Sequence, residues 1–139
     1  MQKTFSIIKP DAVKSGNAGN ILALLESNGF RIVALRMAKL SQSQAEGFYA
    51  VHAERPFYGS LVKFMTEGPV ILMALEREDA VKKLRDVMGA TNPANAAEGT
   101  VRKLYAESIE RNAIHGSDAP ETAAQELQYF FSTAELNQL

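Results

Sequence analysis

Six consecutive apolar residues, Val70-Ile71-Leu72-Met73-Ala74-Leu75, stand directly after Gly68-Pro69. A run this short, without a polar break, reads as a strand, and its lack of alternation means that both faces are buried. A sheet with this strand at its centre is the condition that every other segment has to meet. Lys3 to Lys9 is a further strand candidate, stopped by Pro10, which has no N–H to give to a ladder. Phe30 to Leu40 is rich in β-formers with Arg31, Arg36 and Lys39 interleaved, so it reads as a strand partly open to water. A short strand is expected near His115.

Helical spacing fills the gaps between strands. Asn17 to Asn28 places Ile21, Leu22, Leu24 and Leu25 three and four residues apart and ends at Asn28-Gly29. Ser41 to His52 reads as a helix capped at Ser41 or Ser43, with Glu46 completing a capping box from Ser43. Leu61 to Thr66, Glu78 to Met88 and Pro120 to Ser132 are the remaining helices, the last with Ala123, Leu127 and Phe130 on one face. The order is βαββαβ with additions. It predicts an α+β fold, a ferredoxin-like antiparallel sheet with helices on one face. Gly89 to Arg111 is weakly patterned, and loops this long are usually functional. No repeat or linker divides the 139 residues, so a single domain over 1–139 is expected.

Composition removes several function classes. The net charge of -1 provides no overall field for nucleic acid or an anionic membrane, although a local cationic pocket remains open. The absence of cysteine excludes disulfides, thiolate metal sites and cysteine nucleophiles together. The apolar stretch at the N-terminus is too short for a signal core or a membrane span, so a soluble cytoplasmic protein is expected.

Only two histidines occur, His52 and His115. A histidine near a strand end is often structural, yet Asn112-Ala113-Ile114-His115-Gly116-Ser117-Asp118 gathers an imidazole, a hydroxyl and a carboxylate before a helix start. With one ring nitrogen tied down as a donor, the other lone pair is free to attack. Gly116 permits close backbone approach, and Ser117 is placed to orient a neighbour. Two readings are open for Asp118: N-cap of the last helix, with Glu121 at the third position, or a metal-side carboxylate. Glu126 either points back to His115 or is an ordinary solvated glutamate. Holding phosphates beside a nucleophile needs fixed cations. Lys9, Arg55, Arg85 and Arg102 are the candidates, each equally readable as a surface charge. Phe57 and Tyr58 offer aromatic faces for a base or belong to the core. No P-loop pattern and no zinc-like spacing is present.

These segments together resemble the nucleoside diphosphate kinase family. The signature around His115 is accompanied, in order, by Ile8-Lys9-Pro10-Asp11-Ala12-Val13, Glu54-Arg55-Pro56-Phe57, Gly68-Pro69-Val70, Met88-Gly89-Ala90-Thr91-Asn92-Pro93 and Gly99-Thr100-Val101-Arg102. The resemblance covers nearly the whole chain. It implies reversible ping-pong transfer of a γ-phosphate between nucleoside tri- and diphosphates, ATP and GTP among them, through phospho-His115. It further implies that Glu126 and Ser117 fix the imidazole, and that Lys9 and Asn112 hold sugar hydroxyls and the surroundings of the phosphate, with Tyr49 nearby. Arg85, Thr91 and Arg102 would hold phosphates, with His52 assisting. Phe57 would stack on the base opposite Ile109. Mg²⁺ would arrive with the nucleotide, Asp118 reaching it through water. A homo-oligomer, tetramer or hexamer, is implied as well.

Two departures stand out. Lys103-Leu104-Tyr105 replaces the small residue and acid that the family commonly places before an aromatic, and the chain ends at Leu139 without the longer tail of some members. Both bear on subunit contacts. The alternative reading is a catalytically silent nucleotide- or nucleic-acid-binding module on the same scaffold. It predicts a damaged nucleophile site, whereas His115, Ser117 and Glu126 are all present.

Overall fold

A computed structural model describes residues 1–139. The central strand is where the apolar run requires it. Strand β3, Val70–Arg77, lies between β1, Gln2–Ile8, and β2, Arg31–Ala38, while the short β4, Ile114–Gly116, pairs with β1 on its other side. The order is β2-β3-β1-β4, and every pairing is antiparallel. This is the arrangement the βαββαβ order predicts. From Val70 to Glu76 every residue of β3 is buried.

The two helices of that order, α2 at Ala18–Ser27 and α5 at Ala80–Met88, share one face of the sheet. There they pack with Ile8, Ile71, Met73 and Leu75. The added helices cover the other face: α3 at Gln42–Phe48, α4 at Tyr58–Met65, α7 at Pro120–Phe130 and α8 at Thr133–Leu136. Phe5, Ile7, Leu72 and Ala74 bury themselves against these. The additions therefore explain why β3 has no polar side.

Local chemistry departs from expectation in several places. The helix after β2 is capped by Ser41, whose partner in the capping box is Gln44, not Glu46 from Ser43. Ser41 precedes the first helical residue, so it is the hydroxyl that reaches the free N–H groups of the first turn. The same helix ends at Phe48, and a separate 3₁₀ turn follows at Ala50–His52. The short helices α1 at Pro10–Lys14 and α8 went unread, because neither is long enough to show a period. The Gly89 to Arg111 stretch carries a 3₁₀ turn at Pro93–Asn95 and α6 at Val101–Tyr105, capped by the Thr100 hydroxyl.

Asp118 does not cap α7. The cap position belongs to Ala119, whose N–H donates to the Thr122 hydroxyl at 3.0 Å, and Asp118 is turned to Arg85. Gly116 does permit a close approach, but the approach is by α5: a Cβ there would stand 2.6 Å from Met88 Sδ and 2.9 Å from a methyl of Leu84. Any side chain at this position would push β4, and with it His115, off the helix beneath.

Candidate active site

Strand β4 is held by β1, with His115 opposite Ile7 and Ile114 opposite Ile8. Successive residues of a strand face opposite sides. Ile114 accordingly joins the core around α5, and the His115 ring lies among the aromatics on the other face. Phe48 meets it edge-on at 5.4 Å between centroids, Phe5 at 6.1 Å and Tyr49 at 6.5 Å. Three rings thus limit how the imidazole can turn.

The ring's Nε2 lies 2.9 Å from Glu126 Oε1 on α7. Ser117 donates its hydroxyl to that same oxygen at 2.7 Å. A carboxylate accepts, so Nε2 carries the proton and the Nδ1 lone pair is bare. Of the two readings of Glu126, the one pointing back to His115 is therefore the one observed. Burial, with the Glu126 charge beside it, holds the Tyr49 proton well above the ordinary tyrosine range. The Tyr49 hydroxyl is buried without a partner.

The segment before His115 is gripped from several sides. Lys9 is 8% exposed and donates Nζ to Asn112 Oδ1 at 2.8 Å. Burial, and next the charge of Arg102, pull its pKa down to about 8. Arg102, 7% exposed, donates to three backbone carbonyls, Gly89 at 3.1 Å, Asn112 at 3.4 Å and Ile114 at 2.9 Å. Burial foremost, then the charge of Arg85, lower its pKa to about 10, which leaves it charged at neutral pH. Ala113, between Asn112 and Ile114, has φ 73°, a left-handed conformation that costs an alanine about 1–2 kcal/mol. Its N–H is taken by Asp11 Oδ2 at 3.1 Å, and its carbonyl by the Lys9 N–H at 2.9 Å.

A cavity of about 610 Å³ opens beside these groups, lined by Lys9, Thr91, Phe57, Ile109 and the side of α4. Phe57 and Ile109 are about half exposed, at 48% and 55%, so neither belongs to the core. His52 stands 5.4 Å from the Phe57 ring. The structure therefore brings Lys9, Thr91, Phe57, Ile109 and Asn112 together, with His115, Glu126, Ser117 and Arg102 adjoining through Asn112 and β4.

Arg85 is close enough to Arg102 for its charge to act there, but its side chain is paired with Asp118 at 2.7 Å, and both line a second cleft of about 430 Å³. Arg55 is exposed in the turn after the first 3₁₀ segment and lines neither space. Tyr58 goes to the core side, its hydroxyl donating to Glu46 O at 3.1 Å.

Several groups went unread. Leu61 and Phe64 line the cavity with Phe57. Their spacing of four and seven from Phe57 is a helical face that could have been read. Arg111 also lines it, gripping Glu67 by two hydrogen bonds at 2.9 and 3.3 Å and lying 4.9 Å over the Phe64 ring. Nothing in a linear sequence links residues 67 and 111.

A ring nitrogen without a partner, on a strand that Arg102 braces and that Asn112 links to Lys9 at the cavity, is suited to taking a phosphoryl group from a nucleotide. The family model described as nucleoside diphosphate kinase matches residues 2–136. A relative of that name from Nitratidesulfovibrio vulgaris is 57% identical over 136 residues, 98% of each chain. Another, from Nitrosospira multiformis, is 60% identical over 131 residues, 94% of this chain and 93% of the other. Among solved structures, the Aquifex aeolicus nucleoside diphosphate kinase superposes with a TM-score of 0.95 at 42% identity, covering 96% of this chain and 97% of that one. The Halobacterium salinarum enzyme in complex with CDP gives 0.92 at 38% identity, covering 96% and 90%. The chain belongs to the nucleoside diphosphate kinase family, phosphotransferases that act on nucleoside di- and triphosphates.

Proposed function

We propose that the whole chain, acting as one domain, passes the γ-phosphate of a nucleoside triphosphate to a nucleoside diphosphate through a phosphate carried on His115. The observation that carries this is the single bond pattern at the ring: Nε2 held by Glu126 at 2.9 Å and Nδ1 left bare. Nδ1 attacks the γ-phosphorus, the bond from phosphorus to the β,γ-bridging oxygen breaks, and the diphosphate leaves with that electron pair. No proton has to move, because Nε2 keeps its own. The imidazole gains positive charge, which Glu126 stabilises directly and Ser117 supports by fixing the carboxylate. A second diphosphate reverses the step. Holding nucleophile and phosphorus in line can supply about 7–11 kcal/mol of the barrier.

Lys9 and Asn112 are proposed to hold the sugar hydroxyls and the transferring phosphate, with Tyr49 alongside. Thr91 and Arg102 hold the phosphates. Arg85 joins them by exchanging Asp118 for a phosphate, and His52 assists from beside Phe57. The base stacks on Phe57 with Ile109 also in contact. A face of this kind takes any base, as a donor and an acceptor of different identity require.

No three histidine, cysteine or carboxylate side chains converge into a site for a metal ion. The residues present fit an ion that comes bound to the nucleotide: Mg²⁺ would neutralise phosphate charge, with exposed Asp118 offered to its water shell. The edge strand β2 exposes Leu35 and Met37, 47% and 58% open, which supports assembly into a homo-oligomer, a tetramer or hexamer. No helix is long and apolar enough to cross a membrane, and we place the protein in the cytoplasm.

Incubation with ATP and magnesium, followed by intact mass under neutral conditions, tests the proposal. One phosphate adduct is expected, acid-labile, discharged by any nucleoside diphosphate and absent from His115→Ala. An adduct that persists in that variant would remove His115 as the carrier.

A further inference from the structure

Asp11 has no part in the chemistry above, yet it is 5% exposed on the first turn of α1. One of its oxygens, Oδ1, is buried with no partner. The other accepts from the Ala113 N–H at 3.1 Å. Burial pushes this carboxyl above the usual aspartate range, and the Ala113 N–H works against that rise.

What Oδ2 holds is an unusual piece of chain. Ile114 donates its N–H to Asn112 O at 2.9 Å, across Ala113 at φ 73°. A hydrogen bond between residues two apart, spanning a residue of positive φ, is the rare and strained form of the γ-turn. The next residue but one is His115. The same turn aims the Asn112 amide at Lys9 Nζ and presents the carbonyls of Asn112 and Ile114 to Arg102. Were Ala113 to relax to negative φ, its N–H would swing away from Asp11, and the planes of both flanking peptides would rotate.

We infer that Asp11 is a positioning residue for phosphoryl transfer, its carboxyl locking the Ala113 turn and through that turn setting the His115 ring and the Asn112 amide against the phosphate. The inference rests on the reading of His115 as the carrier. The bond needs an acceptor of aspartate's length at this place; a full charge is not required of it. Strain at Ala113 makes the acceptor necessary, since a residue at ease with positive φ would need less holding.

Rapid-quench measurement of His115 phosphorylation by Mg-ATP, on the full chain, decides the matter. Asp11→Ala lowers the single-turnover rate on the order of tenfold to a hundredfold, as misplacement of a reacting group does. ADP affinity, read by calorimetry, shifts far less, because Phe57 and Thr91 lie outside the turn. Asp11→Asn, whose amide oxygen accepts the same bond, stays within about threefold of wild type. Asp11→Ala/Ala113→Gly recovers most of the lost rate, because glycine holds positive φ without strain. Should Asp11→Ala not fold, Asp11→Ser, whose hydroxyl stops short of Ala113, takes its place and is read in the same way. The inference is overturned if Asp11→Asn is as slow as Asp11→Ala, if adding Ala113→Gly restores nothing, or if Asp11→Ala reacts at the wild-type rate. His115→Ala is run alongside: an adduct in that variant sinks the carrier reading, whereas a clean His115→Ala with failed Asp11 arms sinks only the inference.

Discussion

The two ends of the site are built to opposite rules. At the end proposed to hold phosphates, Lys9, Arg102 and Asn112 are each less than a tenth exposed, and they are tied to one another or to backbone carbonyls. At the end proposed to take the base, Phe57 and Ile109 stand about half open to solvent. Their contribution is surface, not directed bonds. Fixed donors resolve where a charge sits; an open apolar slot accepts any flat ring. A phosphotransferase serving many nucleotides needs exactness where phosphorus moves and tolerance where the base rests, and the division of burial suits the roles proposed for the two ends.

The largest effect should come from breaking the buried end. Arg102→Ala takes a donor from three carbonyls, of which only that of Asn112 keeps the Ile114 N–H outside the ladder, and should lower stability by about 2–4 kcal/mol, with activity falling as well. Urea unfolding reads the first and steady-state turnover the second. Wild-type stability would mean that the three bonds do not brace β4. The open end should behave differently. Phe57→Ala should raise KM on the order of tenfold for every base alike, leaving kcat nearly unchanged, since stacking carries about 1–3 kcal/mol. A loss confined to one base would show that the slot reads base edges.

A graded effect, smallest near neutral pH, belongs to the buried end alone. Burial holds the Lys9 ammonium down at about 8, below its ordinary value of 10.5. Between those two values the unfolded chain binds more protons than the folded one, so this group adds to stability as pH rises through that window. Nucleotide affinity moves the other way, falling by up to about tenfold per pH unit above 8 until the phosphate-bound form also titrates. Calorimetric titration with ADP on wild type and Lys9→Met checks both the trend and its source. An equal pH dependence in the variant would assign the effect to another group.

The two ends also differed in how well they could be read beforehand. Strands β1 to β3 and helices α2 and α5 follow from apolar period and punctuation, because each is long enough to show a pattern. The five-residue α1 and four-residue α8 are too short for one. Segment similarity pointed to His115, Glu126 and Ser117, and the three side chains are in contact in the structure. Of the two readings open for Asp118, the cap fails although its position before a helix allowed it; its ion pair with Arg85 depends on a cleft between α5 and the start of α7. Arg55 and Arg102 looked alike as charges, and only the fold separates the exposed one from the one held by three carbonyls. Asp11 was quoted as part of a motif without a role, since its partner lies 102 residues away.

The central claim is that one ring nitrogen is occupied and the other is free. Nitrogen-15 and phosphorus-31 spectra of the phosphorylated protein, labelled at histidine, locate the phosphate on the ring directly. The account predicts a single phosphohistidine at residue 115 with phosphorus bonded to Nδ1 and the proton kept on Nε2 toward Glu126. Phosphorus on Nε2, or on His52, would contradict it.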